Sequence, residues 1–359
     1  MSNNNLSPQN EAAADASENA IFNKETEGLS QGQIVIRRFV RHRAAMISVA
    51  VLSSIIVMVF TALDFKLGPW KINGWWRWTI DELPELNMEC SNPSGGCPTI
   101  SAWPTFLGGG GVHLGKHPFG QDDIGRDYFA LVMRGAQRSI LVSFIIGIIA
   151  GTIGTIVGAT AGYLRGWVEA ALMRFVDFII TIPVIIIGAV VGYHFGNLGV
   201  TFLAFYLGLF SWTGLSRLVR GEFLKLRELE FVDAARVAGA SNRRIIFKHI
   251  LPNAVGVIIV SVTLLMSGAI LLETALSYLG FGVVAPDVSL GLLISQYQDA
   301  FTTRPWLFWY PGLFIITIAL SINFIGDGLR DAFDPRQRRR ITKKDRETAA
   351  IAKKAAAQK

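Results

Sequence analysis

Residues Ile140 to Tyr163 read ILVSFIIGIIAGTIGTIVGATAGY, a run without one charged side chain. A helix needs about 20 mostly apolar residues to cross the hydrocarbon core of a bilayer, and this run has that length. It also carries Gly147, Gly151, Gly154, Gly158 and Gly162 at spacings of three and four. At helical pitch those glycines form one smooth stripe, against which a second helix can approach closely. Five further stretches are comparably apolar: Ala44–Leu63, Phe175–Tyr193, Leu198–Leu218, Ala254–Leu276 and Leu307–Ile325. A buried helix of a soluble protein explains any one of them. Six in a chain of 359 residues, 51% hydrophobic and 17% charged, do not fit one soluble core. The expected fold is an all-α polytopic membrane protein with about six transmembrane helices. Pro183 is expected to kink the third span, because it removes a backbone donor and crowds the preceding turn.

Residues 1–32 are polar, with no apolar core and no cleavage box, so they read as a disordered tail rather than a signal peptide. The first apolar run follows Arg37, Arg38, Arg41 and Arg43 and reads as an anchor that is retained. Basic residues resist translocation and so set orientation. With the N-terminus inside, the inner connections hold those arginines, then Arg165 and Arg174, then eight basic residues between Arg217 and Lys248, then Arg338–Arg340. The outer connections after spans three and five hold only Arg304. Both termini are therefore expected in the cytoplasm, and the net charge of +7 reflects this bias. The basic tail suits anionic lipid rather than nucleic acid.

The long segment from Asp64 to Ser139 then lies outside. Cys90 and Cys97 fall in it, in CSNPSGGC, and an oxidising exterior favours a disulfide between them. Asp122 or Asp123 is placed to cap a helix running through Tyr128 into span two. Gly110-x4-Gly115-Lys116 has the spacing of a phosphate loop, but His117 and Pro118 follow where Ser or Thr should reach a metal, and no strand precedes it. His113 and His117 stand among Gly and Pro that argue against a metal-binding helix. No catalytic or metal-ligating constellation is expected. Asp177 reads as an interfacial ion pair with Arg174. Glu273, an acid inside span five, is a candidate to face a transport pathway, since ionisable groups there are costly.

The connection from Glu222 to Pro252 is longer than joining two spans requires. Phe231, Ala234, Ala235 and Ala238 share a helical face, with Asp233 and Arg236 pointing elsewhere. That face is too small to build a core alone and suits a groove of another protein. Gly239 can end the helix in a left-handed conformation. Ser241 or Asn242 can cap a second short helix carrying Arg243, Arg244 and Lys248, and Pro252 then opens span five. A helix lying on lipid fits the same pattern, so the residues alone leave both readings open.

FVDAARVAG at Phe231–Gly239, followed after nine residues by HILP at His249–Pro252, resembles the Glu-Ala-Ala loop of bacterial ABC importer permeases, with Asp233 in place of the usual Glu. GQDDIGRD within 120–127, ETALSYLGFG at Glu273–Gly282 and NFIGDGLRDAFDPR at Asn323–Arg336 are similar to the C-type permease of dipeptide and oligopeptide importers. The resemblance implies a cytoplasmic tail over 1–43, a first span over 44–63 and an extracytoplasmic segment over 64–135. A permease domain over 136–330 follows, with an ATPase-docking loop at 221–252, and then a basic tail over 331–359. It implies a non-catalytic subunit of the bacterial cytoplasmic membrane that imports peptides together with a second homologous permease. Two ATPases would use ATP and Mg, an extracytoplasmic peptide-binding protein would deliver cargo, and no cofactor would bind this chain. Phe231, Asp233, Ala234, Ala235, Arg236, Ala238, Gly239 and Pro252 become the docking residues. Related permeases carry nickel or glutathione. An ion-coupled secondary transporter would need inverted repeats that this sequence lacks.

Overall fold

The computed structural model describes residues 31–67, 70–88, 95–100 and 114–333. An amphipathic helix, α1 (Gln31–Arg41), leads into α2 (Arg43–Ala62). The break between them is His42, whose Nδ1 accepts from the Ala45 amide at 3.1 Å and so caps α2. A short antiparallel hairpin, β1 (Phe65–Leu67) and β2 (Trp70–Ile72), follows, with Lys66 opposite Lys71. It is the one sheet among the described residues, beside an isolated antiparallel bridge between Gln121 and Asp127.

Helix α3 (Tyr128–Leu164) is the central post. It packs along α6 (Val200–Phe210) and α7 (Thr213–Arg227), and against the long helix α9 (Asn242–Tyr278). The glycine stripe does what its spacing predicts. A Cβ on Gly158 would stand 2.5 Å from the Ser216 carbonyl, and one on Gly162 would stand 2.7 Å from the Arg220 carbonyl. Only hydrogen fits between these backbones. Helix α3 begins at Tyr128, capped by Asp127, which accepts from the Ala130 amide at 2.9 Å. Asp122 and Asp123 are therefore not the cap. Asp122 instead folds the preceding loop, accepting from the amides of Ile124 and Arg126.

The third span is broken. Helices α4 (Gly166–Ile180) and α5 (Val184–Phe195) meet at 66° around Pro183, as that proline requires. The fourth span is bent too, by 42° between α6 and α7. There Ser211 Oγ and Trp212 Nε1 donate to the carbonyls of Leu207 and Leu209, drawing those groups into side-chain bonds where the helix bends. Among the described residues four helices are long and apolar enough to span a membrane, and the number rises to six if each bent pair is one span.

The last two helices are α10 (Leu290–Tyr297) and α11 (Trp306–Phe333). Pro311 lies inside α11 and cannot donate to the Leu307 carbonyl; the Tyr128 hydroxyl donates to it instead. The hydrophobic core is layered along the bundle. At the end carrying the hairpin, Tyr128, Met133, Leu293 and Ile318 pack together. Val142, Ile146, Leu207 and Leu276 fill the middle. At the opposite end, which holds the basic residues of the 221–252 connection, Tyr163, Phe223, Val232, Ile245 and Ile250 form the last layer.

Candidate functional site

The connection between spans four and five folds as a compact corner at that basic end. Its first element is α8 (Glu230–Val237). Gly239 follows with φ +79, a conformation glycine adopts without penalty. The Ala240 amide donates to the Ala235 carbonyl at 3.0 Å and the Gly239 amide to the Arg236 carbonyl at 2.9 Å. This pair of bonds is a Schellman closure, and it ends the helix where the sequence predicts. Ser241 rather than Asn242 is the next cap, its Oγ accepting from the Arg244 amide.

The second short helix is not a separate unit. Asn242–Arg244 runs through a π-turn, Ile245–Ile250, directly into the rest of α9, so the exit stem and span five form one 37-residue rod. The reason is local. Pro252 cannot donate, and its ring crowds the preceding turn. The wide π-turn gives it room, and Asn253 Nδ2 donates to the His249 carbonyl at 2.6 Å. Pro252 thus sits in the first turn of the α-helical stretch Leu251–Tyr278, as expected, but the π-turn joins that stretch to 242–250 without a break.

The faces of α8 are also shifted from the expected ones. Val232 is fully buried against Ile245 and Ile250, and Ala235 sits partly against the same layer. Phe231, Ala234 and Ala238 are exposed, as is Val237 at 90%. Phe247 on the π-turn is exposed as well. The result is an apolar, unpartnered surface on a short helix, rimmed by exposed Arg243, Arg244 and Lys248. Asp233 and Arg236 pair at 2.8 Å across one turn, in solvent, where such a pair contributes little stability.

Two stems hold this corner to span two. Arg227, the last residue of α7, donates through Nη1 to the Tyr163 carbonyl and lies 5.5 Å above the Tyr163 ring. The Tyr163 hydroxyl donates to Asn242 Oδ1 at 2.7 Å, and Arg165 Nη1 pairs with Glu228 at 3.0 Å.

Other predicted residues land differently. Glu273 is fully buried within the chain, with Oε2 accepting from Ser139 and Oε1 from Ser277, at 3.0 and 2.7 Å. A membrane-embedded carboxylate is tolerated there because its neighbours on α3 and α9 donate to it. Asp177 pairs at 2.5 Å with Arg217 on the adjacent helix, not with Arg174 on its own. Cys97 is disulfide-bonded, while Cys90, the other cysteine in the sequence, lies outside the described residues. So do Gly110 and His113. Among the described residues no cluster of His, Cys, Asp or Glu is arranged to hold a metal.

The GQDDIGRD signature is a structural knot at the hairpin end. Asp122 accepts from Arg126 Nε at 2.6 Å and from the Tyr297 hydroxyl at 3.0 Å. Asp127 takes Trp76 Nε1 at 2.8 Å and meets His117 Nδ1 at 2.7 Å. Burial pushes the Tyr297 phenol well above its ordinary range, and the Asp122 carboxylate adds to the shift.

Residues 154–339 match the model of the binding-protein-dependent transport system inner membrane component, and residues 30–70 match the N-terminal transmembrane domain of oligopeptide transport permease C. The oligopeptide transport system permease protein OppC of Mycobacterium tuberculosis is 37% identical over 314 residues, covering 87% of this chain and 97% of that protein. The OppC proteins of Haemophilus influenzae and Escherichia coli are each 36% identical. These matches cover 94% and 88% of this chain, and 100% and 94% of the relatives.

Proposed function

The chain belongs to the binding-protein-dependent inner-membrane transport components, in their oligopeptide permease C branch, and on that premise we propose how it works. It is a multi-pass inner-membrane permease subunit of an ABC importer. Its cargo is an oligopeptide or dipeptide. It pairs with a second, homologous permease. Two ATPases seat on its α8 corner and on the partner's equivalent, and an extracytoplasmic receptor delivers peptide. The chain performs no hydrolysis; ATP and Mg act in the ATPases. Both termini and the 221–252 corner face the cytoplasm, and the segment from 64 to 135 faces outward.

The observation that carries the docking reading is the exposed apolar surface of α8, with Val237 90% exposed on a helix that one buried valine holds to the bundle. An isolated helix of eight residues is marginal in water. Fixing it by a Schellman turn and two stems presents it as a rigid body, and rigid-body motion of packed elements is how closure at one site reaches another. A lipid-lying helix would be anchored by its apolar face instead, with no need for stems.

Reconstituted proteoliposomes test the reading. With both permeases, both ATPases and the receptor, labelled oligopeptide should accumulate only with ATP and Mg, and nickel or glutathione should not compete. Accumulation without ATPases, or competition by nickel or glutathione, overturns it. For orientation, a membrane-impermeant thiol reagent should reach Cys97 from outside after reduction; labelling only from the cytoplasm reverses the topology.

A further inference from the structure

We infer that the last turn of span two, Tyr163 to Arg165, is the clasp through which the docking corner moves the transmembrane bundle, with Tyr163 and Arg165 as positioning residues. The inference rests on the docking reading above and assigns the route by which docking is felt.

Three observations converge there. First, this one turn touches both stems of the corner: Arg227 and Glu228 on the way into α8, and Asn242 on the way out. These partners are 63 to 79 residues away in sequence, so the contacts join separate elements rather than neighbours. Second, Tyr163 is buried, and it is engaged through three different groups: hydroxyl, ring and carbonyl. A hydrogen bond of 2.7 Å leaves its useful range after a shift of about 0.5 Å. A displaced α8 therefore either breaks the clasp or carries the end of span two with it.

Third, the backbone is strained at that place. Arg165 has φ +57 and ψ −164, a region held almost entirely by glycine, and it is the one non-glycine residue with positive φ among the described residues. Gly166 follows with φ +59. The arginine is kept there while its neighbour could take the conformation freely, and its guanidinium reaches Glu228. That pair is exposed on both sides, so stability does not explain it. A strained residue tied to the docking corner suits a joint with two arrangements, because strain persists where surrounding contacts impose it. Span two is also the post on which α6, α7 and α9 pack, so its end is the efficient place to apply force.

The test uses the complete transporter in proteoliposomes, reading three quantities: ATPase co-purification, ATP hydrolysis, and peptide imported per ATP hydrolysed. Tyr163→Phe keeps the ring beneath Arg227 and the carbonyl, and removes only the hydroxyl. It should leave co-purification and hydrolysis within twofold of wild type while import per ATP falls at least fivefold. Asn242→Asp keeps an acceptor and should preserve coupling. Asn242→Leu should match Tyr163→Phe, and the double variant should be no worse than either. Arg165→Gly relieves the strain and removes the Glu228 tie, so it should raise the thermal midpoint of the complex and lower import per ATP. Wild-type coupling in Tyr163→Phe overturns the inference. So does a loss of import that comes with loss of the assembled complex, which makes the clasp a packing contact only. A different outcome marks failure of the docking reading itself: Val237→Asp leaving ATPase co-purification unchanged.

Discussion

Replacing Gly239 separates the backbone requirement of the docking corner from its contact with a partner. The residue sits at φ +79, and a Cβ built there meets nothing within 4 Å. In the isolated permease the penalty is therefore conformational alone. A non-glycine residue in the left-handed region costs about 1–2 kcal/mol, which is a factor of about 5 to 30 in the population of the closed turn. The bonds at stake are those from the amides of Gly239 and Ala240 to the carbonyls of Arg236 and Ala235. Asparagine tolerates this conformation better than alanine. Gly239→Asn, Gly239→Ala and Gly239→Leu should then leave the thermal midpoint of the detergent-solubilised permease nearly unchanged, because the corner lies at the bundle's edge. Affinity for the ATPases should fall in the order Gly, Asn, Ala, Leu. The drop from Ala to Leu should be the largest, since the added atoms are free in the isolated chain and collide only inside a groove. Titration of the purified ATPases against permease in nanodiscs measures this directly. Equal affinity for the Ala and Leu variants would show that nothing closes over the corner, and wild-type affinity for all three would refute the reasoning entirely.

Gly158→Ala should destabilise the permease by about 1–3 kcal/mol, because its Cβ would stand 2.5 Å from the Ser216 carbonyl and 2.8 Å from Val219 Cβ, whereas Gly268→Ala, with nothing within 4 Å, should be neutral or stabilising; thermal midpoints of the two decide it. Glu273→Leu leaves the Ser139 and Ser277 hydroxyls without their acceptor and should lower stability by about 1–3 kcal/mol, while Glu273→Gln, which keeps one acceptor, should be milder and import normally. Impaired import by Glu273→Gln at unchanged stability would put that carboxyl group on the pathway. Tyr297 gives a pH signature. Its phenol is raised in the folded chain, so the unfolded chain gives up its proton first, above about pH 10. The stabilisation is complete below that pH and is lost as pH rises towards the folded value. The midpoint should fall more steeply above pH 10 in wild type than in Tyr297→Phe; parallel curves contradict this.

The spans were legible because each is a long apolar run, and the glycine stripe because its spacing alone sets a close-packed face. The Gly239 stop was legible for the same reason: it is a local rule. What stayed hidden depended on partners far along the chain. Asp122, Asp123 and Asp127 all precede α3, and capping preference cannot choose among them. Asp127 is held by Trp76, 51 residues away, and by His117, ten residues back in the same loop. Asp177 on α4 pairs with Arg217 on α7, 40 residues away, rather than with Arg174, three positions back along its own helix. The Glu273 contact with Ser139 on α3 is not readable from spacing, because the two lie 134 residues apart. On α8, helical spacing grouped Ala235 with Phe231, but the layer formed by Ile245 and Ile250 takes Val232 inward and leaves Val237 outward. The helix and glycine stop within Glu222–Pro252 were legible from local spacing. The continuous helix after them was not, since a proline ordinarily marks a boundary and here a π-turn absorbs it.

The central claim is that the exposed face of α8 is the seat of an ATPase. A photo-cross-linking residue placed at Val237 in the complete transporter tests it most directly, with the same residue at Val57 on α2 as the comparison, also exposed but remote from the corner. The account predicts a permease–ATPase adduct from position 237 and none from position 57. Absence of an adduct at 237 while the ATPases remain bound, or equal adducts at both positions, would contradict it.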